Sequence, residues 1–178
     1  MDLRNFALSE LTRSNVDKKH PFNFFFLCTK GDFPEVRTVV KRTYSEDHCI
    51  VFFTDSRSPK VEQIKSDPRC SALFYHPKKQ LQVRIRGHVR LIRQSDSRYS
   101  EYLNRLKQHG NLKDYTSNMP PGTPLKDLAE VIWGEDIFFC PLEIKVHDMD
   151  VLLLNKDRHI RTIYTLDQGE WNEQILTP

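Results

Sequence analysis

The stretch Leu81-Gln82-Val83-Arg84-Ile85-Arg86-Gly87-His88-Val89-Arg90-Leu91 decides the fold of this chain. Leu81, Val83, Ile85, Val89 and Leu91 alternate with Gln82, Arg84, Arg86, His88 and Arg90. A strict period of two puts each set on its own side of a β-strand, so one side is core and the other polar. Gly87 falls in the apolar set at its midpoint. It predicts a bend or bulge of the kind that curves sheets into barrels.

Strands flank this one on both sides. Residues 23–29 read as a buried strand through Phe24, Phe25, Phe26 and Leu27, and Lys30-Gly31-Asp32 turns the chain. Residues 36–42, rich in β-branched side chains, return as the second arm of a hairpin; 49–54 and 70–75 are further strands. Between those two, Ser58 suits an N-cap and Pro59 the first helical position, with Val61 and Ile64 as the buried face of a short helix. Leu3, Phe6, Ala7 and Leu11 predict an amphipathic helix over 2–16. Tyr99, Tyr102, Leu103 and Leu106 predict another over 96–109, and residues 124–133 a short third. Residues 137–146, 151–154, 159–165 and 171–176 read as strands, with Asp167-Gln168-Gly169-Glu170 as the last turn. Short strands at hairpin spacing with a few helices predict a mainly β fold with flanking helices, a closed or split β-barrel. The length fits a single domain over 1–178.

Composition narrows the class. The 11 Phe, 6 Tyr and 2 Trp argue against disorder, despite 29% charged residues. No run approaches the roughly 20 apolar residues of a membrane-spanning helix. Met1-Asp2-Leu3-Arg4 enters a helix and does not resemble a signal peptide, so a cytoplasmic protein is expected. Cys28, Cys49, Cys70 and Cys140 form no zinc-like spacing and read as buried thiols, with no metal site expected.

The net charge is only +3, but the cations are clustered. Lys78, Lys79, Arg84, Arg86, Arg90 and Arg93 occur with no acid between them, which suits a solvated face or a groove for an anion. Arg57, Ser58 and Lys60 surround the predicted helix start, where free N–H groups and a partial positive charge can seat a phosphate. An ordinary Ser-Pro helix start is the other reading. The chain has no GxSxG, HExxH, Walker or GxGxxG pattern, and neither His88 nor His159 has a Ser or Cys partner nearby. An enzyme built on this sequence would leave the hard chemistry to a bound cofactor.

Four segments in order carry a family resemblance. They are Arg37-Thr38-Val39-Val40, residues 52–60 (Phe-Phe-Thr-Asp-Ser-Arg-Ser-Pro-Lys), Asp67-Pro68-Arg69 and Gln82-Val83-Arg84-Ile85-Arg86-Gly87. Together with the ending Trp171-Asn172-Glu173-Gln174-Ile175-Leu176-Thr177-Pro178, they resemble the pyridoxamine 5′-phosphate oxidase family of FMN-binding split barrels. The resemblance runs over about residues 22–94 and returns from about 136. It implies a homodimer with FMN in the cleft between subunits. By position, Arg37 and Lys60 would grip the FMN phosphate, with Ser58 in the same turn and Arg57 beside it. The backbone of Thr38, Val39 and Val40 would follow the isoalloxazine ring, and Phe53 and Thr54 the ribityl chain and phosphate. Gln82 would reach the ring and Arg161 its edge, while Arg42 and His159 would contact a small-molecule substrate.

The chain also departs from the family. Pro59 stands where a second basic residue usually precedes the lysine, and Asp157 replaces the first arginine of a late Arg-x-His-x-Arg motif. The expected aromatic residue near Leu153 is missing, and Tyr102 and Arg105 lie near the substrate set at a different spacing. The function implied is an FMN-dependent oxidoreductase passing a hydride from a small substrate, such as pyridoxamine or pyridoxine 5′-phosphate, to FMN, with reoxidation by O2. The alternatives are a flavin-dependent reductase of the same fold acting on another small molecule, or a non-enzymatic β-barrel binding nucleic acid through Arg84, Arg86 and Arg90.

Overall fold

The hairpin of β1 (Phe24–Lys30) and β2 (Pro34–Tyr44) starts an antiparallel sheet that ends by closing on itself. Strands β3 (Cys49–Asp55), β4 (Arg69–His76), β5 (Leu81–Leu91), β6 (Phe139–Leu153), β7 (Ile160–Asp167) and β8 (Glu170–Leu176) complete it. The order is β3-β2-β1-β4-β5-β6-β7-β8, and β3 also pairs with β6. Six strands therefore form a closed barrel, and β7 and β8 extend from its seam. Strand β6 makes the split: Phe139–Lys145 pair with β3, and Asp148–Leu153 with β7. The computed structural model describes residues 2–178.

The alternation in β5 is realised as expected. Leu81, Val83, Ile85 and Val89 are buried, while Arg84, Arg86, His88 and Arg90 are exposed. The bulge falls at the predicted glycine: Arg86 opposes Asp148 and Gly87 opposes Val146, leaving His147 as the extra residue. Inside the barrel, Phe22, Phe25, Phe52 and Phe74 are fully buried, and Phe25 stacks on Phe74 with ring centroids 5.1 Å apart. Each such side chain contributes on the order of 2–3 kcal/mol by leaving water.

Three helices cover the barrel. Helix α1 (Leu3–Arg13), capped by the Asp2 side chain, buries Leu3, Ala7 and Leu11 in the barrel core. Helix α2 (Pro59–Ser66) buries Val61 and Ile64. Helix α3 (Ser97–His109) packs Tyr102 and Leu106 into a second cluster with Val51, Phe53, Tyr115 and Phe139. Buried Glu143 anchors α3, accepting hydrogen bonds from Arg98 at 2.8 and 2.7 Å and from the Tyr102 hydroxyl at 2.7 Å.

Two sequence expectations are corrected. Residues 124–133 form no helix beyond a single 3-10 turn, Leu128–Glu130. Leu128 and Ile132 are exposed, so the segment has no buried face to stabilise longer helix. The strands expected at 137–146 and 151–154 are one 15-residue strand. Asp148 and Asp150 break the apolar pattern but not the strand, because Arg86, Arg84 and Arg161 pair with them. Cys49, Cys70 and Cys140 are buried free thiols, whereas Cys28 is only half-buried. Among the described residues, no helix is long and apolar enough to cross a membrane.

Candidate functional site

The expected helix start is present with Ser58 at the N-cap position and Pro59 following, but the serine side chain is used elsewhere. Its side chain makes no capping bond; instead its Oγ accepts a hydrogen bond from Lys60 Nζ at 2.5 Å. The same ammonium donates to Thr54 Oγ1 at 3.0 Å. Ser58 and Thr54 are 1% and 8% exposed, so this half-buried cation sits on two buried hydroxyls. Burial pushes the Lys60 pKa down, and the charge of Arg37 pushes it further. The acids acting on Lys60 are committed elsewhere, Asp55 to Arg57 and Glu35 to Arg37. Lys60, a cation without a committed carboxylate and next to a second cation, favours an anionic ligand such as phosphate.

Arg37 reaches this region from β2. Its Nη1 donates to Thr29 Oγ1 and to the carbonyls of Glu35 (3.1 Å) and Leu27 (3.4 Å). Its Nη2 donates to Glu35 Oε2 at 2.7 Å and to Gln63 Oε1 at 3.3 Å. Gln63 comes from α2, so the helix that supplies Lys60 also orients Arg37. Sequence reading missed Thr29, Glu35 and Gln63. The one local signal was Glu35, two residues before Arg37 and therefore on the same side of the strand.

Val39 is buried, while Thr38 and Val40 face outward and are exposed. The Phe53 ring lies inside the α3 cluster, 4.9 Å from Phe139 and 5.8 Å from Tyr102 between centroids. The structure does not bring Arg57 to Lys60. Its side chain pairs with Asp55 at 3.0 and 2.7 Å, donates to the Ser117 carbonyl at 2.8 Å and lies 3.4 Å over the Phe138 ring. It fastens the 110–138 connection to the barrel.

Arg42 stacks over Phe53 at 5.2 Å, and its Nε is buried without a hydrogen-bond partner. Arg105 approaches it, donating to the Arg42 carbonyl at 3.1 Å. Lys41, which the sequence did not mark as a site residue, is 5% exposed and donates to Asn15 Oδ1 at 2.6 Å. Burial, then the charge of Arg105, pushes its pKa down to about 8. Lys41, Arg42 and Arg105 thus form a second group of cations around the β2–α3 junction.

Gln82 and Arg161 occupy one row across the sheet, on either side of Leu152. Arg161 donates to buried Asp150 at 3.0 and 2.8 Å, and Arg84 binds the same carboxylate. Burial raises the Asp150 pKa, but hydrogen bonds from Arg161 and Arg84 outweigh it and hold the carboxyl below its ordinary value. His159 lies just before β7, its Nδ1 accepting the Asn155 N–H at 3.1 Å. These residues stand apart from the Lys60 recess. Thr54 opposes Cys140 on β6 and Arg161 opposes Leu152, twelve residues further along that strand. That is roughly 40 Å of strand contour. Within one protomer the Lys60 recess and the Gln82–Arg161 row are thus separate.

A model of the pyridoxamine 5′-phosphate oxidase FMN-binding domain matches residues 5–93. The pyridoxine/pyridoxamine 5′-phosphate oxidase of Wolbachia pipientis wMel is 32% identical over 175 residues, covering 85% of this chain and 75% of the relative. Its counterpart from Zymomonas mobilis is 26% identical over 164 residues, covering 85% and 84%. A crystal structure of a pyridoxamine 5′-phosphate oxidase-related, FMN-binding protein from Nostoc punctiforme PCC 73102 superposes with a TM-score of 0.75 at 27% identity, covering 100% of this chain and 98% of that one. The barrel, its bulged strand and these matches agree, and the chain belongs to the pyridoxamine 5′-phosphate oxidase FMN-binding domain family.

Proposed function

We propose that this protein is an FMN-dependent oxidoreductase working as a homodimer on a small anionic substrate. The observation that carries this reading is Lys60, a half-buried ammonium resting on the buried hydroxyls of Ser58 and Thr54 beside Arg37, with no carboxylate committed to it. The fit to FMN is good: two cations and two hydroxyls suit a phosphate, and Thr38 and Val40 present an exposed face of β2 along which a ring would lie. FMN, when bound, would supply hydride acceptance from the substrate, with reoxidation by O2.

The chain's own residues would bind and orient. Arg37, Thr54, Ser58 and Lys60 would neutralise the cofactor phosphate, while Gln82 and Arg161 would hydrogen-bond the ring and place positive charge at its edge. Arg42, with its unpartnered buried Nε, would hold an anionic group of the substrate, and His159, beside the Gln82–Arg161 row, would contact the substrate from a second copy. The separation of Arg161 from Lys60 supports a dimer, because a second copy can bring its Gln82–Arg161 row to the first copy's phosphate recess. Phe24, Phe26, Val36, Val40 and Tyr75 are exposed on the outer side of β1, β2 and β4, an apolar patch that a second copy would cover.

Pyridoxamine or pyridoxine 5′-phosphate is the substrate class that the family suggests. A reductase acting on another small molecule is favoured by two residues. The Tyr102 hydroxyl is committed to Glu143, and Asp157 stands in the substrate motif. The nucleic-acid reading loses support, since Arg84, Arg86 and Arg90 are each paired with an acid, Asp150, Asp148 and Asp96. The test is an absorbance spectrum of the protein with FMN, repeated anaerobically with pyridoxamine 5′-phosphate. Flavin binding with bleaching supports the oxidase. Binding without bleaching points to the reductase, and absence of flavin binding overturns the proposal.

A further inference from the structure

The guanidinium that would receive the cofactor phosphate already holds an anion from its own strand. Glu35 Oε2 accepts from Arg37 Nη2 at 2.7 Å, and Glu35 Oε1 accepts from Gln63 Nε2 at 2.7 Å. Thr29 Oγ1 accepts from Arg37 and donates in turn to Gln63 Oε1 at 2.6 Å. Arg37 therefore has both terminal nitrogens engaged, and only Nε remains outside these contacts. Of its partners, Thr29 is buried and Gln63 is fixed on α2, while the Glu35 side chain is about half exposed. Glu35 is thus the partner that can leave without unfolding anything.

Resting on the FMN reading above, we propose that Glu35 is an internal competitor for the cofactor phosphate, occupying Arg37 until the phosphate displaces it. Two effects act in the same direction. A dianionic phosphate arriving between Arg37 and Lys60 must displace a carboxylate from the guanidinium, and it also meets that negative charge at close range. Exposed ion pairs are weak, so the displacement is modest and reversible. Glu35 then sets how tightly cofactor is held and the phosphate specificity of the recess. Thr29 and Gln63, which need not move, keep the guanidinium aimed while the anions exchange.

The test is a fluorescence titration of the full-length protein with FMN and, separately, with riboflavin, which lacks the phosphate. Glu35→Gln keeps the shape and removes the charge; Glu35→Ala removes the acceptor. Both are expected to tighten FMN two- to fivefold, leaving riboflavin unchanged. Glu62→Gln is the charge control, since Glu62 lies in the first turn of α2 but pairs with Lys65, and it is expected to change neither. If the Glu35 variants bind FMN equally or more weakly, Glu35 merely orients Arg37 and the proposal fails. Equal tightening by Glu62→Gln, or a parallel change with riboflavin, also overturns it. Failure of the wild-type protein to bind FMN overturns both this inference and the functional reading. Normal binding with unaltered variants overturns this inference alone.

Discussion

Gly87 lies directly against the backbone of Lys145: a Cβ at residue 87 would stand 2.2 Å from the Lys145 carbonyl oxygen and 3.0 Å from Ile144 Cγ2. This contact fixes the β5–β6 bulge, where the register shifts and His147 is left over. The backbone oxygen cannot swing aside as a flexible side chain could. Gly87→Ala is therefore expected to destabilise the barrel by about 3 kcal/mol, comparable to severe overpacking. Thermal unfolding would show this as a fall of roughly 6–12 °C. A change below about 2 °C would mean that the bulge shifts at little cost.

Lys60 should control cofactor binding through the phosphate. Hydrogen bonds to charged groups contribute about 1.5–3 kcal/mol. Lys60→Ala is accordingly expected to weaken FMN binding by roughly ten- to a hundredfold while changing riboflavin binding little. It also removes a half-buried charge that burial disfavours and that lacks a committed carboxylate, so thermal stability should change little. Equal loss of both ligands would show that Lys60 shapes the recess instead of binding the phosphate.

These two positions also show how far the sequence can be read. Gly87 was legible because a period-two pattern surrounds it, and the Ser58–Lys60 recess because its parts lie within one turn. The long β6 was not legible, since His147-Asp148-Met149-Asp150 resembles a turn until its partners are known. Those partners, Arg86 and Arg84, are 62 and 66 residues away in sequence. The role of Arg57 was misleading for the same reason. Its spacing put it beside the phosphate recess, but Ser117 and Phe138 draw it away. Local patterns report faces and caps; they do not report which charge meets which across the sheet.

Arg57 is expected to act on stability and on the 110–138 connection. It neutralises Asp55, which is 5% exposed, and binds carbonyls at residues 117–119. Removing one partner of a buried pair typically costs about 3–5 kcal/mol. Arg57→Ala should lower the melting temperature by roughly 6–20 °C, and limited proteolysis should cut within 117–138. Arg57→Lys should rescue little, because a lysine cannot make the planar fork or stack on Phe138. Unchanged proteolysis in Arg57→Ala would show that the connection is held by other contacts.

Acid should loosen the seat of α1 before it affects the barrel. Glu10 of α1 accepts from His20 Nε2 at 3.1 Å and from Lys79 Nζ at 2.5 Å, with His76 Nε2 at 3.7 Å. The other ring nitrogens accept backbone N–H groups, His20 Nδ1 from Phe22 and His76 Nδ1 from Lys79. In each ring the Nδ1 is thus an acceptor and the Nε2 faces Glu10. Protonating His76 would set its Nδ1–H against the Lys79 N–H. Burial lowers the His76 pKa against the pull of Glu10. A histidine whose pKa is lower when folded takes up a proton on unfolding, so its contribution to stability is lost as pH falls below about 6.5. For Glu10, burial raises the pKa, but hydrogen bonds from Lys79 and His20 outweigh it and hold the carboxyl below 4.5. Its contribution is lost further down, as pH falls below about 4.5 through the folded value. Stability should thus begin to decline as pH falls below about 6.5, with a slope of up to about 1.4 kcal/mol per pH unit from His76. His76→Gln should flatten that slope while leaving the decline below pH 4.5. Denaturant midpoints measured at half-unit steps would decide it, and a slope identical to wild type in His76→Gln would remove His76 from the account.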